Sequence, residues 1–194
     1  MKLLEPGTEI DGFRVVDCIH AGGMAHIYAV EYAQADRSPG FPMAMKIPRM
    51  TAGDGAENIV SFEVELQILP VLSGPHVPRF VAAGDLVRLP YLVMEYVQGR
   101  TLQHWLDGPQ PLDVAEITRL GAAVARAAHA LHQQNTVHLD LKPANVLIRP
   151  DGSALLLDFG LSCHAHYPDL LAEELRKAVG SPIWIAPEQV VGVR

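Results

Sequence analysis

The stretch HLDLKPANVLI, residues 138–148, and the triplet Asp158-Phe159-Gly160 that follows it decide the fold of this 194-residue chain. The first stretch places a carboxylate, an ammonium group and an amide in one short turn ahead of an apolar run. Carboxylate and amide oxygens are the ligands that Mg²⁺ prefers. A second carboxylate can accept a proton from a hydroxyl, and a lysine can neutralise a phosphoryl group during its transfer. These are the groups that phosphoryl transfer to a hydroxyl requires.

A glycine-containing turn lies upstream in IHAGGMAHI, residues 19–27, between two β-prone runs. Glycine lets backbone N–H groups approach phosphates closely, because no Cβ stands in the way. An ordinary hairpin turn explains this stretch equally well when it is taken alone.

Lys46 lies in the next β-prone run, where its ammonium group can meet phosphates. A buried ammonium group is costly unless a carboxylate pairs with it. Glu65 is the preferred partner because Phe62, one helical turn before it, faces the core. Glu57 and Glu63 are the alternatives, and a surface position is the simpler interpretation of both.

Hydrophobic periodicity predicts a strand-rich first part with one helix and a helix-rich second part, joined near residues 98–99. The predicted strands are residues 13–20, 26–32 and 41–47, two more near 77–83 and 90–96, and short runs at 146–149 and 154–157. The predicted helices are residues 57–69, about 113–134 and about 168–178, and residues 48–55 are a predicted loop.

The long helix has a clear start, with Asp113 as the N-cap residue and Glu116 three residues further on. Its apolar positions recur at helical spacing and mark one face of the helix. They are Val114, Ile117, Leu120, Val124, Ala127 and Leu131.

Composition excludes several classes of protein. Hydrophobic residues make up 49% of the chain and charged residues 19%, which is not the composition of a disordered chain. The formal net charge of −7 argues against nucleic-acid binding and against a polybasic membrane adaptor. The two cysteines, Cys18 and Cys163, are far apart, which fits a reducing cytoplasm. Charged residues interrupt the longest apolar region, so no membrane segment is expected in this stretch, and an anchor beyond Arg194 stays open.

In its motifs the chain resembles the eukaryotic-like (Hanks-type) protein kinases, and especially the bacterial serine/threonine kinases. The similarity runs over about residues 13–188 and keeps the order of the family's motifs. They are the glycine-containing turn, Ala44-Met45-Lys46, the helix glutamate, PYLVMEYVQGRTL (90–102), HLDLKPANVLI (138–148), Asp158-Phe159-Gly160 and GSPIWIAPEQ (180–189).

The resemblance implies an α+β, bilobal protein-kinase-like fold. Residues 1–97 would form a β-rich N-lobe with one main helix, and residues 98–194 a partial helical C-lobe. Because the family's domain continues with further helices after Ala186-Pro187-Glu188, the resemblance also implies a fragment that is truncated after this motif.

The resemblance assigns roles to individual residues, with ATP and Mg²⁺ as cofactors and serine or threonine hydroxyls of proteins as acceptors. Asp140 would be the catalytic base, Lys142 the lysine that stabilises the phosphoryl group, and Asn145 and Asp158 the Mg²⁺ ligands. ATP would be bound by Ile19, Gly22, Gly23, Ile27, Ala44, Lys46, Glu65, Met94, Glu95, Val97 and Leu147.

The sequence departs from the family at three positions that bear on this site. His20 and Ala25 replace the first and third glycines of the family's loop, which we expect to stiffen it. Leu139 replaces the usual arginine before the catalytic aspartate, where the family's arginine pairs with a phosphate on the activation segment. Arg176 or Lys177 could take over that pairing.

Two other functions compete with a protein kinase. An inactive kinase-like scaffold would be expected to lack one of Lys46, Asp140, Asn145 and Asp158, and this chain has all four. Small-molecule kinases of the aminoglycoside phosphotransferase kind have a similar His-x-Asp motif. They lack the lysine context, the Asp-Phe-Gly triplet and the Ala-Pro-Glu motif that are present here.

Overall fold

The computed structural model describes residues 3–49, 56–86, 88–175 and 180–191, without the side chains of residues 56, 174 and 175. The strands are β1 Glu9–Ile10, β2 Phe13–Ala21, β3 Ala25–Tyr32, β4 Met43–Pro48, β5 Phe80–Ala83, β6 Leu92–Glu95, β7 Arg100–Thr101, β8 Thr136–Val137, β9 Val146–Ile148, β10 Ala154–Leu156 and β11 Cys163–His164. The α-helices are α1 Ala56–Ile68, α2 Leu102–Leu106, α3 Val114–His132, α4 Leu170–Leu175 and α5 Pro187–Val190, and 3₁₀ turns lie at Leu69–Val71 and Pro143–Asn145.

The first part of the chain is an antiparallel sheet of six strands in the order β1-β2-β3-β4-β6-β5. Alternating side chains of β3 point to opposite faces, as the two-residue period of a strand requires. Tyr28 and Val30 are buried on the outer face, in a cluster with Met45 and Val93. The opposite face, which carries Ile27 and Lys46 at paired positions, turns toward the rest of the molecule.

The second part is built on α3 and the β9–β10 hairpin, which β7 extends to three strands. Leu120, Ala127 and Leu131 of α3 are buried in one cluster with Ile148 and Leu156 of the hairpin. Helix α1 contributes to the same cluster, so a continuous core connects the large sheet to the second part. This core fixes the position of the turn that precedes β9.

The structure confirms the long predicted elements and adds short ones that the sequence did not indicate. Each predicted strand and helix has its counterpart, with ends that differ by a few residues. Strands β1, β7, β8 and β11 and helices α2 and α5 were missed. Part of the predicted loop, residues 50–55, and the end of the predicted charged helix, residues 176–178, lie outside the described residues. The division near residue 97 stays a prediction.

Helix α3 begins as predicted, but its apolar face is only partly buried. The backbone N–H of Glu116 donates to Asp113 Oδ1 at 2.7 Å, and the Asp113 N–H donates to Glu116 Oε2 at 3.2 Å, which completes a capping box. Val114 and Ile117 are 80% and 55% exposed, so the first turns of this apolar face are not packed. Among the described residues, no element covers the first turns of this helix.

Other apolar side chains are exposed close to the end of the described chain. Ile183 is 85% exposed and Trp184 is 47% exposed, just before α5. In the described part of the chain, no helix is both long and apolar enough to cross a membrane.

The buried face of α3 leads to a stability prediction. Replacing Leu131, which is 1% exposed, by alanine leaves a cavity and should lower the free energy of unfolding by about 2–5 kcal/mol. Urea unfolding followed by circular dichroism measures this loss. The matched control, Ile117→Ala on the exposed side of the same helix, should change stability by about 0.5 kcal/mol or less. Equal losses in the two variants would contradict the packing described for α3.

Candidate active site

A cavity of about 490 Å³ opens between the large sheet and the turn that precedes β9. Its wall contains most of the residues that the sequence predicted for nucleotide and metal binding. They are Gly22, Gly23, Ile27, Ala44, Lys46, Glu65, Met94, Glu95, Val97, Asn145, Leu147 and Asp158. The fold therefore gathers into one place residues that are distributed over more than half of the chain.

The wall is apolar at one end. Ala44 of β4 lies opposite Met94 of β6 in the sheet, and Leu147 of β9 comes from the second part of the chain. Gly99 must stay a glycine here, because a Cβ at this position would collide with the Leu147 side chain and the Ile148 carbonyl. The apolar end thus has one surface from each part of the chain, with a slot between them.

Lys46 lies at the charged end, between two carboxylates. Its Nζ donates to Glu65 Oε2 at 2.5 Å and to Asp158 Oδ1 at 3.0 Å. Burial opposes the charged form of Lys46, but the negative charges of Glu65 and Asp158 outweigh it and hold the pKa of Lys46 above its ordinary value. The positive charge of Lys46 in turn holds the pKa of Asp158 below its ordinary value, against the effect of burial.

The partner of Lys46 is the glutamate that the sequence analysis preferred. The Glu65 side chain is 2% exposed on the inner face of α1. Glu57 and Glu63 are exposed, because the three- and four-residue spacing of the helix turns them away from the core. The structure thus excludes both alternatives as the buried partner of Lys46.

Asp140 and Lys142 lie beside the cavity, not in the part of its wall that is described. Asp140 is 7% exposed, and its Oδ2 lies 2.7 Å from Lys142 Nζ. Ser181 completes the group, since its hydroxyl donates to Asp140 Oδ1 at 2.8 Å and accepts from Lys142 Nζ at 2.8 Å. Asn145 connects this group to the cavity, because its Nδ2 donates to Asp140 Oδ2 at 3.0 Å.

His138 is a neutral imidazole that connects the turn of Asp140 to the residue before Asp158. Its Nδ1 accepts from the backbone N–H of Asp140 at 3.3 Å, so Nε2 carries the proton and donates to the Leu157 carbonyl at 3.0 Å. The ring lies 5.3 Å from that of Phe159. Burial lowers the pKa of His138, and a second proton would have to displace the bond from Asp140.

The Asp158-Phe159-Gly160 triplet forms a tight turn against α1. Asp158 has a φ of 64°, a left-handed conformation that is uncommon for residues other than glycine. A Cβ on Gly160 would collide with Ser61 Oγ of α1. The absence of a side chain at Gly160 therefore lets α1 approach closely, and this approach brings Glu65 within reach of Lys46.

Of the residues predicted to bind ATP, one falls outside the cavity wall, and several residues of the wall were not predicted. Ile19 is 39% exposed and does not line the cavity. An irregularity in the β2–β3 pairing between Cys18 and His20 sets His20, instead of Ile19, opposite Ile27. His20 lines the cavity, as do Asn58 and Ser61 of α1. No periodic signal in the sequence marks these three positions.

Comparison with known proteins agrees with this geometry. The chain matches the protein kinase domain family over residues 15–194. The chain belongs to the protein kinase domain family. Its membership confirms the resemblance found in the motifs and the α+β, kinase-like fold.

Curated relatives of this kinase domain come from several bacteria. It is 30% identical over 187 residues to the serine/threonine-protein kinase PrkC of Bacillus subtilis, covering 96% of this chain and 28% of the relative. It is 30% identical over 190 residues to the probable serine/threonine-protein kinase pknA2 of Bifidobacterium longum, covering 96% of this chain and 24% of the relative. It is 31% identical over 191 residues to the serine/threonine-protein kinase pkn2 of Myxococcus xanthus, covering 95% and 22%. The chain thus spans about a quarter of the length of these relatives.

The neutral His138 predicts a pH dependence of stability. Because burial lowers its pKa, the unfolded state binds more protons as the pH falls below about 6.5, the ordinary pKa of histidine. The stability that the neutral His138 contributes to the folded state is complete above that pH and is lost as the pH falls toward the lowered pKa. Between about pH 7.5 and about pH 5.5, the free energy of unfolding of the wild type should fall more steeply than that of His138→Tyr, by at most about 1.4 kcal/mol per pH unit.

Urea unfolding at a series of pH values measures this difference in slope. His132→Gln, at an exposed position on α3, is the matched control and should keep the wild-type slope. His26 is also buried with a lowered pKa, but it is present in all three proteins and cancels from the comparison. Identical slopes for the wild type and His138→Tyr would contradict a buried neutral imidazole.

Proposed function

We propose that this protein transfers the γ-phosphoryl group of ATP to serine or threonine hydroxyls of protein substrates, with Mg²⁺ as cofactor. The observation that carries the proposal is the Asp140 carboxylate, which accepts a hydrogen bond from a serine hydroxyl at 2.8 Å beside a cavity with a paired lysine. A carboxylate that accepts a bond from one hydroxyl can accept the proton of another in the same place.

The cavity suits an adenine nucleotide in size and polarity. Its volume of about 490 Å³ lies within the roughly 300–1,000 Å³ that is usual for small-molecule sites. Ile27 and Ala44 would cover the base from the sheet side, and Leu147 would support it from below. The backbone of Glu95 and Val97 would pair with its edge, next to Met94. Lys46 would meet the phosphates at the charged end, held in place by Glu65.

Asn145 and Asp158 fit a magnesium ion, because both offer oxygen ligands at the charged end of the cavity. The Asp158 side chain is 43% exposed, although Lys46 pairs with one of its oxygens. Asn145 uses its amide nitrogen to bond Asp140, which turns its oxygen away from that carboxylate. Bound with the nucleotide, the ion would supply positive charge against the phosphates.

Lys142 and Ser181 would orient Asp140 and support the phosphoryl group. Lys142 contacts both Asp140 and Ser181, so its ammonium group is held close to where the acceptor hydroxyl would lie. The relatives' names support serine and threonine as acceptors, and the motif around Lys142 is similar to that branch of the family. An inactive scaffold has less support, since each of the charged groups that transfer requires has its partners in place.

The catalytic role of Asp140 has a direct test. Asp140→Asn keeps the size of the side chain but removes the carboxylate that accepts the proton, so kcat should fall at least about 100-fold. The assay follows transfer from γ-labelled ATP with Mg²⁺ to the protein itself and to casein, with identification of the labelled amino acids. Asp36→Asn, in the exposed loop after β3, is the matched control and should keep wild-type activity. Wild-type activity in Asp140→Asn, or label on tyrosine alone, would overturn the proposal.

Activity should depend little on phosphorylation of the activation segment. Leu139 offers no charge to a phosphate, and the hydroxyl residues between Asp158 and Glu188 are Ser162, Tyr167 and Ser181. Ser162 is 2% exposed and donates to the His138 carbonyl, while Ser181 is bonded to Asp140. Arg176 and Lys177, the alternative partners for a phosphate, lie outside the described residues.

Phosphatase treatment of the purified protein should therefore leave kcat within about tenfold of its starting value, which is a barrier change below about 1.4 kcal/mol. Tyr167→Phe, at the most exposed of the three hydroxyl residues, should have the same small effect. A larger loss in either experiment would show that a phosphate on this segment orders the site.

A further inference from the structure

His20 stands in the cavity wall because of an irregularity in the sheet. Cys18 pairs with Tyr28 and His20 pairs with Ile27, so one extra residue, Ile19, lies in β2 between two consecutive residues of β3. Such a bulge moves every following side chain of its strand to the opposite face. His20 consequently points to the cavity face, whereas a ladder continued regularly from the Cys18–Tyr28 pair would have placed Ile19 opposite Ile27.

The same face carries Lys46 on the same row of the sheet. His20 is paired with Ile27, and Ile27 is paired with Lys46 on the next strand. Paired residues of antiparallel strands present their side chains on one face, and two strand spacings separate the Cα atoms of His20 and Lys46 by roughly 10 Å. The imidazole and the ammonium group therefore approach the charged end of the cavity from two sides.

In the glycine turn, the backbone N–H of Gly22 is not free to bind a phosphate. The Gly22 N–H donates to the Ala25 carbonyl at 3.0 Å, so it is occupied within the turn. The Gly22 carbonyl accepts from the Arg49 guanidinium at 3.3 Å, which fastens the turn to the end of β4. A Cβ built on Gly22 would lie 2.8 Å from His20 Nε2, so the imidazole lies directly alongside this backbone. The ring nitrogen is thus available where the Gly22 N–H is not.

We infer that His20 is a phosphate-binding residue of the nucleotide site, whose imidazole N–H donates to a phosphate oxygen in place of the Gly22 N–H. A neutral imidazole has one N–H donor and a protonated one has two, so either form can make the bond. The inference rests on the proposed nucleotide site and concerns one contact within it.

Calorimetric titration of the purified protein with Mg·ATP, and separately with adenosine, tests the contact. His20→Leu keeps bulk but has no donor, and it should weaken Mg·ATP binding about tenfold, since a bond to a charged acceptor is stronger than a neutral one. Adenosine has no phosphates, and its Kd should stay within about twofold. His20→Gln keeps an N–H donor and should recover most of the lost affinity. His104→Leu, the same change at an exposed position on α2, should bind both ligands as the wild type does.

The other outcomes separate this inference from the function on which it rests. Equal weakening for Mg·ATP and adenosine would mean that His20 acts through the shape of the loop, and it would overturn the inference. Unchanged or tighter Mg·ATP binding in His20→Leu would also overturn the inference, since the imidazole would then make no favourable contact with the phosphates. If the wild type binds neither ligand, the proposed nucleotide site itself is wrong and both fall together.

Discussion

The ammonium group of Lys46, which is paired with two carboxylates, connects the large sheet, helix α1 and the turn after β10. Lys46 lies in the large sheet, Glu65 lies 19 residues away on α1, and Asp158 lies 112 residues away after β10. A charge removed from water is costly unless it is paired, and removing one partner of a buried pair is strongly destabilising. The helix and the turn that contains Asp158 must therefore both close on the sheet. When they pack against the sheet, the cavity remains between the sheet and the second part of the chain, and the charged side chains of Lys46, Glu65 and Asp158 lie at one end of it.

The sequence allowed the long elements to be predicted because their periodicity is strong, and it did not reveal the short ones. Helix α3 repeats apolar residues over five turns and has Asp113 as its N-cap residue, so its existence and start were predictable. Strands of two residues, such as β7 and β8, show no period at all, and their partners decide whether they form. Periodicity identifies the apolar face of α3 but does not say which of its turns are covered, and Val114 and Ile117 lie on turns that stay exposed.

Site residues could be predicted where they lie close together in the sequence. They could not be predicted where the pairing of two strands decides which side chain faces the cavity. Asp140 and Asn145 lie in one turn, and the helical spacing from Phe62 selected Glu65 among three glutamates. Ile19 was expected over the nucleotide, but the bulge in β2 puts His20, and not Ile19, in the cavity wall. A bulge results from hydrogen bonding between two strands, so a single strand's sequence carries little sign of it. The same pairing consumes the Gly22 N–H that the glycine turn was expected to offer.

The two residues of this region with left-handed backbones are held in different ways, one by a charge and one by a neutral amide. Leu139 and Asp158 both have left-handed backbones, with φ values of 58° and 64°, and such conformations persist only where the surroundings determine them. Asp158 is held through its side chain by Lys46. Leu139 has no polar side chain, and it is held through its carbonyl, which accepts from Gln189 Nε2 of α5 at 2.9 Å. The helix that follows Ala186 is therefore bonded directly to the turn of Asp140. A neutral amide bond does not depend on a modification or on ionic strength, so this chain can hold the turn of Asp140 without the charged arginine that the family has in place of Leu139.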